Sequence, residues 1–353
     1  MRPLEGKRVL VTGGTGSLGQ VLVRRLLGGA AGDPAKIIVF SRDEAKQHQM
    51  RIGYLERHAA TDEVIYSNFD RMLDFRIGDV RDPHSVAAVL RDADVVFNAA
   101  ALKQVPTCEY FPAEAVQTNI GGPENIVRAI REHRLPVETV VGISTDKACK
   151  PVNVMGMTKA IQERILIRAN LDCPETRFVC VRYGNVLASR GSVIPLFIEQ
   201  IANGGPVTIT TPEMTRFFLG LDRAVDTILA ALEFGGPGDT YIPRVPAARM
   251  TDIAAALIGD GEVETVFTGI RPGEKTHEIL VSEEEAHRTV ARGEHYVILP
   301  MLPELRHDVS ETVLGSEYSS ADNLIDVAAC GELLEQYDLK AERLYRRDGD
   351  LLR

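Results

Sequence analysis

With 353 residues, 44% of them hydrophobic and 25% charged, the chain can bury one large core or two smaller ones. Its formal net charge of -10 argues against a nucleic-acid or anionic-membrane partner, whose phosphates the field would repel, while leaving room for a small phosphorylated ligand held by local Arg and Lys. The five cysteines (Cys108, Cys149, Cys173, Cys180 and Cys330) are odd in number and never spaced C-x-x-C, which points to a reducing cytoplasm and to neither a disulfide framework nor a metal site. No run has the length of a signal peptide or a membrane span, so a cytoplasmic protein is expected.

In chain order, "RVLVT" (8–12), "KIIVF" (36–40), "DFRIGD" (74–79), "DVVFNA" (94–99), "ETVVGIS" (138–144) and "RFVCVRY" (177–183) read as strands. Amphipathic segments at 18–28, 43–58, 83–91, 112–131 and 155–169 read as helices between them. Continuous apolar strands alternating with helices predict an α/β fold with a doubly wound parallel sheet, the Rossmann arrangement, and a ligand at the carboxyl ends of its strands. After Gly184 the rhythm breaks into a helix, a Gly-Gly-Pro turn, a short strand, a helix from Asp222 to Phe234 and the strand "DTYIPR". The expected division is a dinucleotide-binding domain over 1–183 with 213–243 returning to it, a smaller discontinuous substrate domain over 184–212 and 244–330, and a tail over 331–353.

"VLVTGGTGSLGQVLVRRLL" sets Gly13, Gly16 and Gly19 between a strand and a helix. A tight turn, room for a pyrophosphate against the backbone and a helix N-terminus that favours anions describe a dinucleotide loop, with Thr15, Ser17 and Leu18 on the same surface. At the end of the second strand, "FSRDEAKQHQM" offers Ser41 and Arg42, with Lys46 a turn further on, where an NAD site would show a carboxylate for the ribose diol. These residues complement a 2′-phosphate, so NADP is expected; the bland alternative is a solvated charge cluster opening a helix with Asp43 and Glu44 in its first turn. "GDVRD" brings Asp79 and Val80 near the adenine by the same topology, and "NAAALKQV" ends the fourth strand in Ala99, Ala100 and Ala101, small enough for a cofactor to lie close.

"STDKACKPVNVMGMTK" (144–159) has the layout of the catalytic stretch of a dehydrogenase, with Met155 where a tyrosine would stand. A thioether neither gives nor takes a proton. Met155 and Lys159 are four apart on a predicted helix and share a face.

With "TGGTGSLG", "FSRDEAKQHQMR", "GDVRD", "AALKQVPTCEYFPAEAVQTNI", "STDKACKPVNVMGMTK", "RYGNVLASRGSVIPLFIEQI" and "RPGEK" in this order, the chain resembles the extended short-chain dehydrogenases, and within them the soluble UDP-N-acetylglucosamine 4,6-dehydratases, some of which carry methionine at that position. The resemblance implies oxidation of C4, removal of the C5 proton beside the new ketone, loss of the C6 hydroxyl and return of the hydride to C6, with NADP tightly bound and recycled. It assigns Lys147 as base, Asp146 as acid and Lys159 to the nicotinamide ribose. A second ammonium at Lys159 and the oxidised nicotinamide would lower the proton affinity of Lys147, and burial would keep Asp146 protonated. Without the resemblance the Asp146–Lys147 pair would read as a helix cap and surface salt bridge. For the C4 hydroxyl proton, Thr145, Ser144 or a water on Lys159 remain open. Cys108 and Glu109 face the sugar or, for Cys108, form an inert buried thiol.

By the same resemblance Lys103 lies between cofactor and substrate, Asn185, Ser189, Arg190 and Val193 lie along the sugar and diphosphate, and Arg216, Arg271 and Glu274 hold the nucleotide diphosphate of a UDP-sugar. Arginine's planar fork suits paired phosphate oxygens. A homo-oligomer, hexamer or dimer, and inversion at C5 are further implied. Two rivals stand beside this reading. A nucleotide-sugar 4-epimerase or reductase needs a proton-transferring group where Met155 sits, and a non-catalytic NADP-binding sensor leaves the Asp146–Lys147 pair unexplained.

Overall fold

In Arg8–Thr12 (β1), Val9 and Val11 pack on one side while Leu10 packs on the other, so alternation along a strand puts apolar side chains on both faces of the sheet. The same holds along Lys36–Ser41 (β2), where Ile37 and Val39 face one core and Ile38 and Phe40 the opposite one. The computed structural model describes residues 2–56, 69, 71–187, 192–306 and 312–339. The strands that follow are β3 (Leu73–Ile77), β4 (Val95–Asn98), β5 (Thr139–Ile143), β6 (Arg177–Val181), β7 (Asn185–Val186), β8 (Val207–Ile209), β9 (Thr215–Leu219), β10 (Thr240–Pro243), β11 (Ala247–Arg249), β12 (Thr265–Phe267), β13 (Ile279–Val281), β14 (Thr289–Arg292), β15 (His295–Ile298) and β16 (Tyr318–Ser319).

Nine of them form the central sheet in the order β14-β15-β10-β6-β5-β4-β1-β2-β3. It is parallel from β3 to β10, and β15 and β14 add an antiparallel edge. Helices Ser17–Leu27 and Leu221–Phe234 cover one face, and Pro83–Leu90, Gly122–His133 and Val154–Asp172 the other, which is the doubly wound Rossmann arrangement. Strand order reverses between β1 and β4, so a crevice opens there at their carboxyl ends. A second body is built on the three-stranded sheet β11-β9-β7 and a core of Ile194, Phe197, Ile253, Leu257, Cys330 and Leu334. Among the described residues no helix is long and apolar enough to cross a membrane.

Three expectations differ from the structure. The single helix over 112–131 is broken into Pro112–Val116, a π-turn at Gln117–Gly121 and Gly122–His133. Pro123 has no N–H to continue the regular ladder, and the wider turn aims Asn119 at the loop after β4, where it binds Leu102 N and O at 2.8 and 2.9 Å. The return to the main sheet begins with Leu221–Phe234, because β9 pairs with β7 and β11 in the small sheet. Residues 289–298 rejoin the main sheet by pairing with β10, covering an edge that would otherwise stand open, and the helix Val327–Gln336 inserts Cys330 and Leu334 into the second core. The end of the segment expected at 43–58 and the tail beyond Leu339 lie outside the described residues.

The two bodies are joined by a buried ion network. Arg182, just past β6, donates to Glu163 at 3.1 and 2.7 Å and to Glu285 at 2.8 and 3.1 Å, and to Leu280 O at 2.7 Å. Burial alone would push the Glu285 carboxyl up, but the charge and hydrogen bonds of Arg182 bring it down to about 2. A depressed carboxyl contributes stability that is full above its ordinary value of 4.5 and is lost as pH falls toward 2. Arg182→Met strands two buried carboxylates and should cost about 3–5 kcal/mol at neutral pH in denaturant titration. The gap to the unaltered protein should close as pH falls from 4.5 to 2.

Candidate active site

The loop after β1 and the loop after β4 meet at the crevice. Gly13 has φ of +64°, and a Cβ there would stand 2.8 Å from both Cα and N of Ala100. A Cβ on Gly19 would reach Gly14 Cα at 2.5 Å, so the helix Ser17–Leu27 can start this close to the loop only with glycine. That helix begins behind Gly16 without a side-chain cap and without acidic residues in its first turn, where Ser17 and Leu18 lie, leaving its N–H groups for an anion. Thr12 Oγ1 donates to Asn98 Oδ1 at 2.9 Å and accepts from Ala100 N at 3.2 Å, tying the two strand ends together beneath Ala99 and Ala101.

At the end of β2, Thr15 Oγ1 donates to Ser41 Oγ at 3.2 Å and Gln47 Nε2 to Ser41 O at 3.0 Å. Arg42 is mostly exposed with a guanidinium nitrogen 3.8 Å from Asp79, whose carboxylate is held more closely by Arg81 at 2.7 Å. Lys46 pairs with Asp43 at 2.7 Å, and Val80 is buried under Gly122 with its carbonyl accepting from Asn125. These residues fit a dinucleotide: the close approach at Gly13, the open helix end and a second strand that ends in serine rather than a carboxylate are all present. Lys103 stands exposed just past the alanines.

The stretch after β5 continues alongside the end of β6, with Ser144 N donating to Val181 O at 2.7 Å and Asp146 N to Tyr183 O at 3.0 Å. Thr145 then caps a short 3-10 turn, Asp146–Ala148. Asp146 is fully buried, and its Oδ1 accepts from Thr145 Oγ1 and from Lys147 Nζ, both at 2.8 Å. Lys147 Nζ also donates to Asn185 Oδ1 at 2.9 Å and lies 3.3 Å from Glu278 Oε1. Arg216 on β9 donates to Thr215 O and Thr276 O, and its Nε lies 3.8 Å from the same Glu278 oxygen. Asp146, Lys147, Asn185 and Arg216 therefore converge, linked by Glu278, a residue no sequence motif singled out.

Lys147 departs from the expected lowered proton affinity. Burial does push its ammonium down, but the charges of Asp146 and Glu278 outweigh burial and hold it above the ordinary lysine range. Lys159 takes no part in this. It is buried, donates to Ile143 O at 2.6 Å and Gln162 Oε1 at 2.8 Å, and burial lowers its pKa to about 8.

Met155 is buried in a small apolar cluster with Cys108 and Ala115, flanked by Leu102, Val105 and Val154. Cys108 is fully buried, which favours the inert thiol, and Glu109 accepts from Val154 N at 2.7 Å at the helix start. Ser144 Oγ donates to Glu163 within the buried ion network, so of the groups considered for the C4 proton Thr145 is the hydroxyl that borders Asp146. Val193 opens the helix Val193–Ala202. Arg271 is exposed, and Glu274 Oε2 accepts from Arg271 N and Thr210 Oγ1, each at 3.4 Å. That loop is pinned to the helix Val154–Asp172 by Asn153, which donates to Gly273 O and accepts from Gly156 N, both at 2.7 Å. Ser189 and Arg190 lie outside the described residues.

Residues 9–300 match the family described as polysaccharide biosynthesis protein. The chain belongs to that family. A curated relative, the UDP-glucose 4-epimerase of Rickettsia bellii (strain OSU 85-389), is 44% identical over 297 residues, 83% of this chain and 82% of that one. The X-ray structure of Pen from Bacillus thuringiensis is 30% identical, covers 95% of this chain and 99% of its own, and superposes with a TM-score of 0.84. DesIV, a dTDP-glucose 4,6-dehydratase from Streptomyces venezuelae solved with NAD and TYD, shares the fold at 23% identity and a TM-score of 0.62, covering 76% of this chain and 86% of its own.

Gly156 is the second residue that motif reading passed over. A Cβ there would run into the carbonyl oxygen of Lys147, so glycine lets the helix Val154–Asp172 pack directly on the Asp146–Ala148 turn. Gly156→Ala should cost about 1–3 kcal/mol in thermal or denaturant melts through overpacking. By displacing Lys147 it should also lower turnover roughly a hundredfold in a steady-state assay.

Proposed function

We propose that the chain is a nucleotide-sugar 4,6-dehydratase acting on UDP-N-acetylglucosamine, with NADP tightly bound and recycled and with inversion at C5. The observation that carries this reading is the direct contact of Lys147 Nζ with a fully buried Asp146, beside a Met155 packed into an apolar cluster. An acid and a base 2.8 Å apart suit elimination, and the tyrosine position offers no proton. When bound, the nicotinamide would take a hydride from C4 and return it to C6, and the enolate so formed would take a solvent-derived proton at C5.

The chain's own groups supply the proton chemistry. Thr145 Oγ1 already donates to Asp146 Oδ1, so it can accept the C4 hydroxyl proton on its free lone pair while its own proton passes to Asp146. That transfer loads the acid. It also removes the strongest charge holding a proton on Lys147, whose side chain keeps 18% of its surface exposed, a path for that proton to solvent. The neutral amine then takes the C5 proton that the C4 ketone has acidified. The C5–C6 double bond forms as the C6–O bond breaks, and the hydroxyl leaves as water with the Asp146 proton. Arg216, Arg190 and Arg271 provide cations for the diphosphate of an acidic protein's anionic substrate. We also infer a homo-oligomer, dimer or hexamer, in keeping with exposed Tyr110 and Phe111 just before the helix Pro112–Val116 and exposed Met157 and Ile161 on the helix Val154–Asp172.

The name carried by the Rickettsia bellii relative favours a second reading, 4-epimerisation, which needs hydride return at C4 and no C5 base. Incubation with UDP-N-acetylglucosamine and, separately, with UDP-glucose in heavy water, followed by NMR, separates the two. We expect a 6-deoxy-4-keto sugar with deuterium at C5; a C4 epimer with hydrogen at C5 selects the epimerase, and unchanged substrate refutes both. Lys147→Ala should abolish the C5 exchange. For the cofactor, nucleotide released by heat should be NADP, and Arg42→Ala should weaken NADP roughly tenfold while leaving NAD unchanged.

A further inference from the structure

Glu278 lies just before β13, on the segment that leads from the Arg271 loop, and only 3% of it is exposed. Its Oε1 is 3.3 Å from Lys147 Nζ and 3.8 Å from Arg216 Nε, while its Oε2 is buried with no hydrogen-bond partner among the described residues. A carboxylate removed from water this completely is retained only where paired charge compensates it. The pairing is anchored on the backbone too, since Glu278 N donates to Ser320 Oγ at 2.9 Å and Thr215 N to Thr276 O at 3.0 Å, which fixes this segment against β9.

We propose that Glu278 is a positioning residue for Lys147: from the second body it holds the amine over the Asp146 carboxylate and sets the pH at which that amine loses its proton. The proposal rests on Lys147 serving as the C5 base. The charged groups around the amine are Asp146 in its own turn, Glu278 and Lys275 on the segment before β13 and Arg216 on β9. On the packed helix Val154–Asp172, Lys159 Nζ is bonded instead to Ile143 O and Gln162 Oε1, and Lys275 Nζ is bonded to Cys149 O at 2.6 Å. Asp146 and Glu278 are the carboxylates in contact, and only Asp146 is free to take up a proton from Thr145 during the reaction. Glu278 then remains the one negative charge against the amine. It keeps the amine aimed after Asp146 has been neutralised, and its distance decides how readily the ammonium releases a proton.

The test reads Lys147 itself and needs no turnover. Full-length protein is labelled with trace acetic anhydride from about pH 7 to 11, and the modified lysines are quantified by peptide mass spectrometry. Removing a negative charge favours the free amine. Glu278→Gln should therefore lower the labelling midpoint of Lys147 by about one pH unit, a roughly tenfold gain in reactivity below the midpoint. Lys36, paired with Asp74 at the far end of the sheet, serves as the internal reference and should not move. Glu278→Asp keeps the charge but draws it back, so it should shift Lys147 in the same direction by less, and it supplies the test should the glutamine variant fail to fold. An unchanged Lys147 midpoint in the variant that folds overturns the proposal. Missing C5 exchange in the unaltered protein refutes the dehydratase reading instead, and does so without touching the labelling result.

Discussion

A single ammonium, that of Lys147, sits between two carboxylates taken almost wholly out of water, Asp146 and Glu278. Desolvating three charges is expensive, and the arrangement survives only because each compensates another at close range. Asp146 comes from the end of β5, Asn185 from β7, Arg216 from β9 and Glu278 from the approach to β13, so the charge cluster exists only when both bodies are folded against each other. The site and the interdomain packing are one structural problem.

The supporting elements follow from that constraint. Gly156 admits the long helix onto the turn that carries Lys147, and Asn153 fastens the same helix start to the loop at Gly273. Gly184 is equally confined, since a Cβ there would stand 2.6 Å from Phe217 Cβ and 3.4 Å from Asp146 Oδ2. Behind the site, Arg182 clamps Glu163 of the helix to Glu285 of the second body. Two buried ion clusters, one chemical and one structural, thus lie one behind the other along the ends of β5 and β6.

Met155 changes role in this setting. It packs in an apolar cluster with Cys108 and Ala115, and the hydroxyl hydrogen-bonded to Asp146 is that of Thr145. The same fold carries proteins named for dehydration and for epimerisation, so the fold alone does not choose between them.

Much of the molecule was legible in the order of its residues. Strand alternation, the glycines of the first turn and the run from Ser144 to Lys159 are local patterns, and local patterns state their geometry through backbone conformation and side-chain period. The π-turn before Pro123, the pairing of β9 outside the main sheet and the return of β14 and β15 to it were not, because strand partners are chosen by edges and packing surfaces far away in the chain. The proton affinity of Lys147 was misjudged because the expectation weighed Lys159 and the nicotinamide, whereas the carboxylates in contact, Asp146 first and then Glu278 from a distant segment, hold the ammonium. By itself, then, the sequence determined the Rossmann sheet, the glycine turn after its first strand and a run that sets Asp146 beside Lys147 with methionine at 155. Only the tertiary structure decided what surrounds that pair, since burial and Coulomb interaction depend on neighbours that folding alone brings together.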